Sequence, residues 1–259
     1  MAIKLELESA KTMKSIVEAM VPVSVEVTIE ISEQGFRAQA KSAGNTWAVD
    51  TFLKKEAFDT FESSETVIFN VDLKDFSDFL KTAKNDDKLE IKDDKERATL
   101  DLKLSSEKIV KEMSLRLNEH EDDKFMRIID KPFDSNCTMI TEIFADAVRA
   151  AELGDEHVTL THTADQLHFE AKTPNRSANA TILYNNDYVE NVDFKTPGPF
   201  VSTFALRYLK HISKVGGASE PLKLSMANNQ PLRIVFSIGS DDGHIAFAVA
   251  PRVMDAYGT

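Results

Sequence analysis

Two kinds of chemistry lie within reach of the charged residues of this chain. Arg207, Lys210 and Lys214 are spaced i, i+3 and i+7, so a helix would carry all three on one face, with Leu206, Leu209 and Ile212 opposite. The surrounding window, Lys195 to Ser219, holds four positive side chains and no acid, in a chain of net charge −12. A purely cationic face on an acidic protein suits an anionic partner such as phosphate. The same face is also what an ordinary solvated amphipathic helix presents. The second possibility is metal-dependent phosphoryl chemistry. Asp122 and Asp123, or Asp241 and Asp242, could gather a divalent cation. Both pairs sit in charged turn or connector sequence, where solvated acids are common. The six histidines lack zinc spacing, and no cysteine accompanies His162 or His168. No Gly-x-x-x-x-Gly-Lys loop and no Gly-x-Ser-x-Gly turn occurs. No catalytic residue, metal or cofactor is expected.

The elements that must position the cations form one unit used four times: a helix, then two alternating strands across a polar turn. The helices are expected at Ser9–Met20, Leu73–Lys84, Thr141–Leu153 and Phe204–Lys214. The paired strands are Val25–Ile31 with Phe36–Ala40, Lys88–Lys92 with Ala98–Leu104, His157–Thr163 with Gln166–Ala171, and Leu222–Met226 with Leu232–Ile238. Extra strands fit Trp47–Leu53, Val67–Val71, Ile109–Leu117, Ala178–Tyr184 and His244–Val249, and Met1–Glu8 also alternates like a strand. The order implies two topologically equal halves, residues 1–117 and 136–259, each with two helices and many antiparallel strands. The fold class is α+β. Residues 118–135 read as the connector. Its acidic run, Glu119 to Asp123, stands beside Phe125-Met126-Arg127-Ile128-Ile129, which reads either as a solvated link with one anchoring cluster or as a docking strip.

With 259 residues, 42% hydrophobic and 29% charged, the chain is globular and has material for a sizeable core. Cys137 is the one cysteine and reads as a small buried side chain in a reducing compartment. The N-terminal stretch has no apolar signal core, and no run approaches the roughly 18 apolar residues of a membrane helix. A soluble, intracellular protein is expected.

The C-terminal third carries a resemblance. Thr203-Phe204-Ala205-Leu206-Arg207-Tyr208-Leu209 is very similar to the last helix of proliferating cell nuclear antigen, the DNA sliding clamp family. Glu220 to Met226, Gln230 to Ile234, and His244 to Val253 follow in the same order, with the Ala250-Pro251-Arg252-Val253 ending typical of that family. Glu56 to Phe61 and Asn70 to Leu73 also resemble the clamp pattern. The resemblance implies two similar lobes, outer antiparallel sheets and four inner helices, three subunits closing head to tail around duplex DNA. Subunits would meet through Ile109, Val110, Lys111, Met113 and Leu115 of one chain and Ala178, Ala180, Ile182 and Tyr184 of the next.

A clamp must slide, so only sequence-independent phosphate contacts serve it. Lys11, Lys14, Lys81, Lys84, Arg149, Arg207, Lys210 and Lys214 are the expected DNA contacts, with Lys74 a weaker candidate. Asp78 and Asp146 stand where the family usually has basic side chains, and Arg149 is outnumbered by Glu142 and Glu152 on its helix. A mixed ring, or a specialised paralogue such as a checkpoint-ring subunit, therefore stays open; a metal-dependent nuclease is the rival from another class. The resemblance also implies a docking pocket between the lobes for short peptides of DNA polymerase, clamp loader, flap endonuclease and DNA ligase. Phe125, Ile128 and Ile129 would line it. Pro231 and the tail Ala248, Val249, Ala250, Pro251, Arg252 and Val253 would form its floor, and Lys41, Asn45, Thr46 and Ala48 a wall. Trp47 reads as packing. The compartment would be the nucleus in a eukaryote, or the cytoplasm and nucleoid in an archaeon.

Overall fold

The computed structural model describes residues 3–84, 86–118, 133–217, 220–228, 230–239 and 242–252. Its elements run in one order twice. The first pass is β1 (Ile3–Leu7), α1 (Lys11–Met20), β2 (Glu26–Ser32), β3 (Gly35–Lys41), β4 (Trp47–Lys54), β5 (Thr60–Ser63), β6 (Val67–Asp72), α2 (Leu73–Lys81), β7 (Lys88–Asp94), β8 (Thr99–Ser105) and β9 (Val110–Arg116). The second is β10 (Ser135–Ile140), α3 (Thr141–Ala151), β11 (His157–His162), β12 (Gln166–Thr173), β13 (Arg176–Leu183), β14 (Val189–Phe194), β15 (Phe200–Ala205), α4 (Leu206–Ile212), β16 (Pro221–Met226), β17 (Leu232–Ile238) and β18 (Gly243–Val249). The repeating module is thus strand, helix, three strands, one strand longer at each end than the helix-and-hairpin unit expected from periodicity.

Two compact units emerge. The described residues of Met1–Ala43, Ala48–Ile128 and Ser237–Ile245 form one, and those of Gly44–Trp47, Ile129–Phe236 and Ala246–Thr259 the other. The first contains the antiparallel orders β5-β1-β7-β8-β9 and β4-β3-β2-β6. The second contains β14-β10-β16-β17 and β13-β12-β11-β15. Replacing each strand by its counterpart nine places on converts one set of orders into the other, with β18 taking the place of β9.

Strand alternation explains how each sheet faces its core. In β8 every second residue, Leu100, Leu102 and Leu104, is buried, and Ile91 and Leu89 of β7 stand opposite Leu102 and Leu104. Helix α1 places Met13, Ile16, Val17 and Met20 against this unit, and α2 adds Phe76 and Leu80. In the second unit Phe144 and Val148 of α3 and Leu209 and Ile212 of α4 do the same, with the Phe144 ring edge-on to Phe169 at 6.0 Å. Each such side chain contributes about 1.5–3 kcal/mol when fully buried. Asp72 caps α2 by accepting the Asp75 N–H at 2.8 Å. At the β2–β3 turn Gly35 has φ +149°, and a Cβ there would collide with the Leu53 carbonyl oxygen.

Helix ends differ from expectation in ways that matter for the cations. Helix α4 starts at Leu206 and stops at Ile212, so Phe204 belongs to β15 and Lys214 lies in the following turn. Helix α2 stops at Lys81, leaving Lys84 in the loop before β7.

Candidate nucleic-acid interface and docking site

Each helix buries its apolar stripe and leaves a charged face outward. On α1 that face holds exposed Lys11 and half-buried Lys14, and neither makes an ion pair among the described residues. Lys84 and Lys214, both exposed, are likewise without one.

The other cations are engaged. Asp78 accepts from Lys74 and from Lys81, each at 2.8 Å, at i,i+4 and i,i+3 spacing on α2. Hydrogen bonds from these two lysines hold the Asp78 carboxyl down at about 2. On α3 the Arg149 guanidinium pairs with Asp146 at 2.9 Å. Lys210 of α4 reaches Glu152, just past the end of α3, at 3.0 Å. Lys81, Arg149 and Lys210, expected as DNA contacts, thus each carry a carboxylate partner, because acids lie one helical turn away or just past the end of the neighbouring helix. Arg207 donates from Nη2 to the Tyr208 hydroxyl at 2.9 Å, and its guanidinium carbon sits 4.8 Å from the Tyr208 ring centroid.

Tyr208 is the hinge of a second cluster. The residue is buried, its hydroxyl lies 2.8 Å from Thr46 Oγ1, and Trp47 stacks on its ring at 4.7 Å. Burial pushes the Tyr208 pKa up, but hydrogen bonds from Thr46 and Arg207 outweigh it and leave the group lowered. Trp47 is buried, and His211 of α4 meets it edge-on at 5.5 Å. It is a packing residue, as its strand position implied. The Ala250 N–H donates to the Thr46 carbonyl at 2.8 Å, and the Arg252 N–H to the Thr203 carbonyl at 2.7 Å. Arg252 Nη1 also lies 2.9 Å from the His157 ring. Residues 44–47, the 250–252 tail and the start of α4 are thus brought together inside the second unit. The same exit occurs in the first unit, where Asn118 follows β9 and exchanges both backbone hydrogen bonds with Asn70 of β6.

The remaining docking candidates are dispersed. Asn45 and Thr46 are exposed in the second unit, while Lys41 and Ala48 belong to the first. Pro231, Ala250 and Pro251 are half-buried and Arg252 is exposed. Val249 has no accessible surface, and Ala48 and Ala248 have little. All three are buried strand residues, Ala48 of β4 and Ala248 and Val249 of β18. Phe125, Ile128, Ile129 and Val253 lie outside the described residues, as do Asp122, Asp123 and Asp241.

Among the subunit-contact candidates, β9 and β13 each end their sheet. Ile109 and Val110 are exposed by 52% and 55%, and Leu183 by 50%. Met113, Ala178 and Ala180 are half-buried. The other four side chains are engaged within their own chain. Lys111 turns inward, with Nζ on the buried Asp87 carboxylate at 2.9 Å and on the Thr82 carbonyl at 2.6 Å. Leu115 and Ile182 are core residues. Tyr184 lies beyond the end of β13, its hydroxyl 3.6 Å from the Cys137 sulfur. Burial pushes Cys137 up to about 12, as befits an inert core thiol.

Paired antiparallel lobes, each with two helices presenting cations outward, define the DNA-clamp class of fold. Family comparison agrees along nearly the whole chain: the model described as proliferating cell nuclear antigen, N-terminal domain, matches residues 2–125, and the C-terminal domain model matches residues 127–252. The chain belongs to the proliferating cell nuclear antigen family. It is 25% identical over 246 residues to the DNA polymerase sliding clamp of Methanococcus vannielii, covering 95% of this chain and 97% of that protein. Proliferating cell nuclear antigen 2 of Drosophila melanogaster is 27% identical over 251 residues, covering 96% and 97%. In fold it is similar to the Thermococcus kodakaraensis antigen, with TM-score 0.88 at 19% identity over 96% of this chain and 100% of the other. The A. fulgidus antigen bound to the C-terminal region of FEN-1 gives 0.82 at 21% identity over 98% and 99%.

Proposed function

We propose that this chain is a DNA sliding clamp: copies join head to tail, edge strand β9 against edge strand β13, into a trimeric ring that encircles duplex DNA and raises polymerase processivity. The observation that carries the reading is that β9 and β13 each end their sheet among the described residues and carry exposed apolar residues, Val110 and Leu183. An exposed strand edge is a liability unless something pairs with it. A second copy supplies the missing partner, and a heterologous contact closes when its rotation does.

In this reading the chain is a scaffold rather than an enzyme. It acts inside the cell, and the ring supplies retention while helix cations supply weak, sequence-independent phosphate contact. Polymerase, clamp loader, flap endonuclease and ligase would dock short peptides on Asn45, Thr46, Pro231, Ala250, Pro251 and Arg252. The A. fulgidus relative solved with the C-terminal region of FEN-1 supports that mode. The lobe boundaries proposed are 1–117 and 136–259, joined by 118–135.

The test is loading onto closed circular DNA. Retention on the circle and release after a single cut support the ring. Equal retention on cut and closed DNA overturns it. The acids paired with Lys81, Arg149 and Lys210 favour a second reading, in which this chain is one member of a mixed ring. A pure chain that sediments as a monomer and assembles only with sister subunits would decide for that reading.

A further inference from the structure

Nine cations stand on the helix faces or in the turns beside them, and three carboxylates hold four of them. We propose that Asp78, Asp146 and Glu152 are built-in competitors of DNA phosphate, which set how weakly the chain grips a duplex. The inference rests on the clamp reading and concerns the strength of its DNA contact.

The geometry is consistent across the two units. In the first, one carboxylate bridges two lysines: Asp78 lies 2.8 Å from both Lys74 and Lys81. In the second, Asp146 holds Arg149 at 2.9 Å and Glu152 holds Lys210 at 3.0 Å. All seven side chains keep solvent access, from 29% at Glu152 to 77% at Lys74. Exposed pairs of this kind are weak and open readily. A phosphate oxygen can therefore take a lysine from its carboxylate. The displaced carboxylate then remains within a few ångströms of the incoming phosphate and repels it. The Arg149–Asp146 and Lys210–Glu152 pairs thus each offer a contact whose net charge is near zero, and the Asp78 group with its two lysines keeps a single net positive charge. Lys11, Lys14, Lys84 and Lys214 have no such partner among the described residues. They would provide most of the counterion release on binding. A sliding protein benefits from this division, since strong fixed contacts would slow its movement, whereas contacts already satisfied internally can be exchanged.

The test compares the full-length chain with the triple variant D78N, D146N, E152Q. The readout is anisotropy of a fluorescent 30-base-pair duplex over a salt series. Each phosphate newly neutralised steepens the log–log salt slope by about 0.9, so the three positive charges uncovered steepen it by roughly 3 per chain. Affinity at low salt should rise about tenfold or more. Adding K81A, R149A and K210A to the variant should return the slope to the wild-type value. Sedimentation must show the same assembly for all forms. A triple variant with the wild-type slope and affinity overturns the proposal while leaving the clamp reading intact. If neither form binds the duplex at any salt, the clamp reading fails and takes this proposal with it. A wild-type slope that already counts all nine cations also overturns it.

Discussion

The hydroxyls of Thr46 and Tyr208 lie 2.8 Å apart across 162 positions of sequence. Through them the 44–47 turn is tied to α4, and Arg207 completes the network by donating to the same phenol oxygen. Tyr208→Phe keeps the ring that stacks on Trp47 and removes only the oxygen. It removes the hydrogen bonds that this oxygen shares with Thr46 and Arg207 and should cost about 1–2 kcal/mol, read as a lower urea midpoint at unchanged m-value. An unchanged midpoint would show that the two side chains find water instead.

Lys111, a candidate for the subunit contact, anchors the loop that carries Lys84. Its ammonium neutralises Asp87, which is 2% exposed, and holds the Thr82 carbonyl. The hydrogen bond from Lys111 is the main reason the Asp87 pKa is lowered. A carboxylate lowered in the folded state stabilises above its unfolded pKa of about 3.9, and that stability is lost as pH falls through the folded value. Lys111→Met strands the charge and should destabilise by about 3–5 kcal/mol at neutral pH. The loss should shrink below pH 4, where Asp87 of the variant takes up a proton. A loss independent of pH would assign the effect to packing.

His162 should make the fold acid-sensitive. Its ring is fully buried, edge-on to Phe194 at 4.8 Å and Tyr184 at 5.7 Å, and Nδ1 lies 2.9 Å from Ser135 Oγ. Nε2 has no hydrogen-bond partner among the described residues. Burial lowers its pKa to about 4. The unfolded chain, titrating near 6.5, then binds the proton first, so stability falls as pH drops from about 6.5 to 4. The total is about 3 kcal/mol. In His162→Leu this slope should vanish from the difference between stabilities at pH 7 and pH 4.5. Equal slopes in both proteins would mean another group carries the acid sensitivity.

The cations that lack a carboxylate should matter most to DNA contact. Lys11→Ala, Lys14→Ala and Lys84→Ala together remove three such charges and should flatten the salt slope by about 2.7. Arg149→Ala alone should change it far less, because Asp146 already offsets that charge. Salt titration of duplex binding measures both. Equal effects per residue would make the pairing irrelevant.

Periodicity reveals the four helix-and-hairpin units because their buried residues recur at 3.6 and at 2. It misses β5, β10, β14 and β15. Ser135 to Ile140 is half polar because only one face of β10 is buried, and it follows charged connector sequence. Phe200–Ala205 runs directly into α4 without a break, so its apolar residues merge with those of the helix. The site divides in the same way. The contacts of Asp78 with Lys74 and Lys81 are written in i,i+4 and i,i+3 spacing. The contact of Lys210 with Glu152 spans 58 positions and depends on how α3 packs against α4. Tyr208 is apolar by helix position, so nothing in its local sequence marks the bond to Thr46.

The open edges of β9 and β13 give the sharpest test of assembly. Val110 begins β9 and is 55% exposed, with no packing role inside its own chain large enough to explain a valine there. Val110→Glu places a charge on the edge without disturbing the core. If β9 pairs with β13 of another copy, desolvating that carboxylate weakens association, and the variant should sediment as a smaller species than the wild type at the same concentration. Its circular dichroism and urea m-value should match those of the wild-type protomer. Ser114 of β9 is also exposed, yet it already bonds to Asp101 on the adjacent strand. Ser114→Ala should leave assembly unchanged. Wild-type sedimentation of Val110→Glu would move the contact away from β9, and the ring would need a different edge to close.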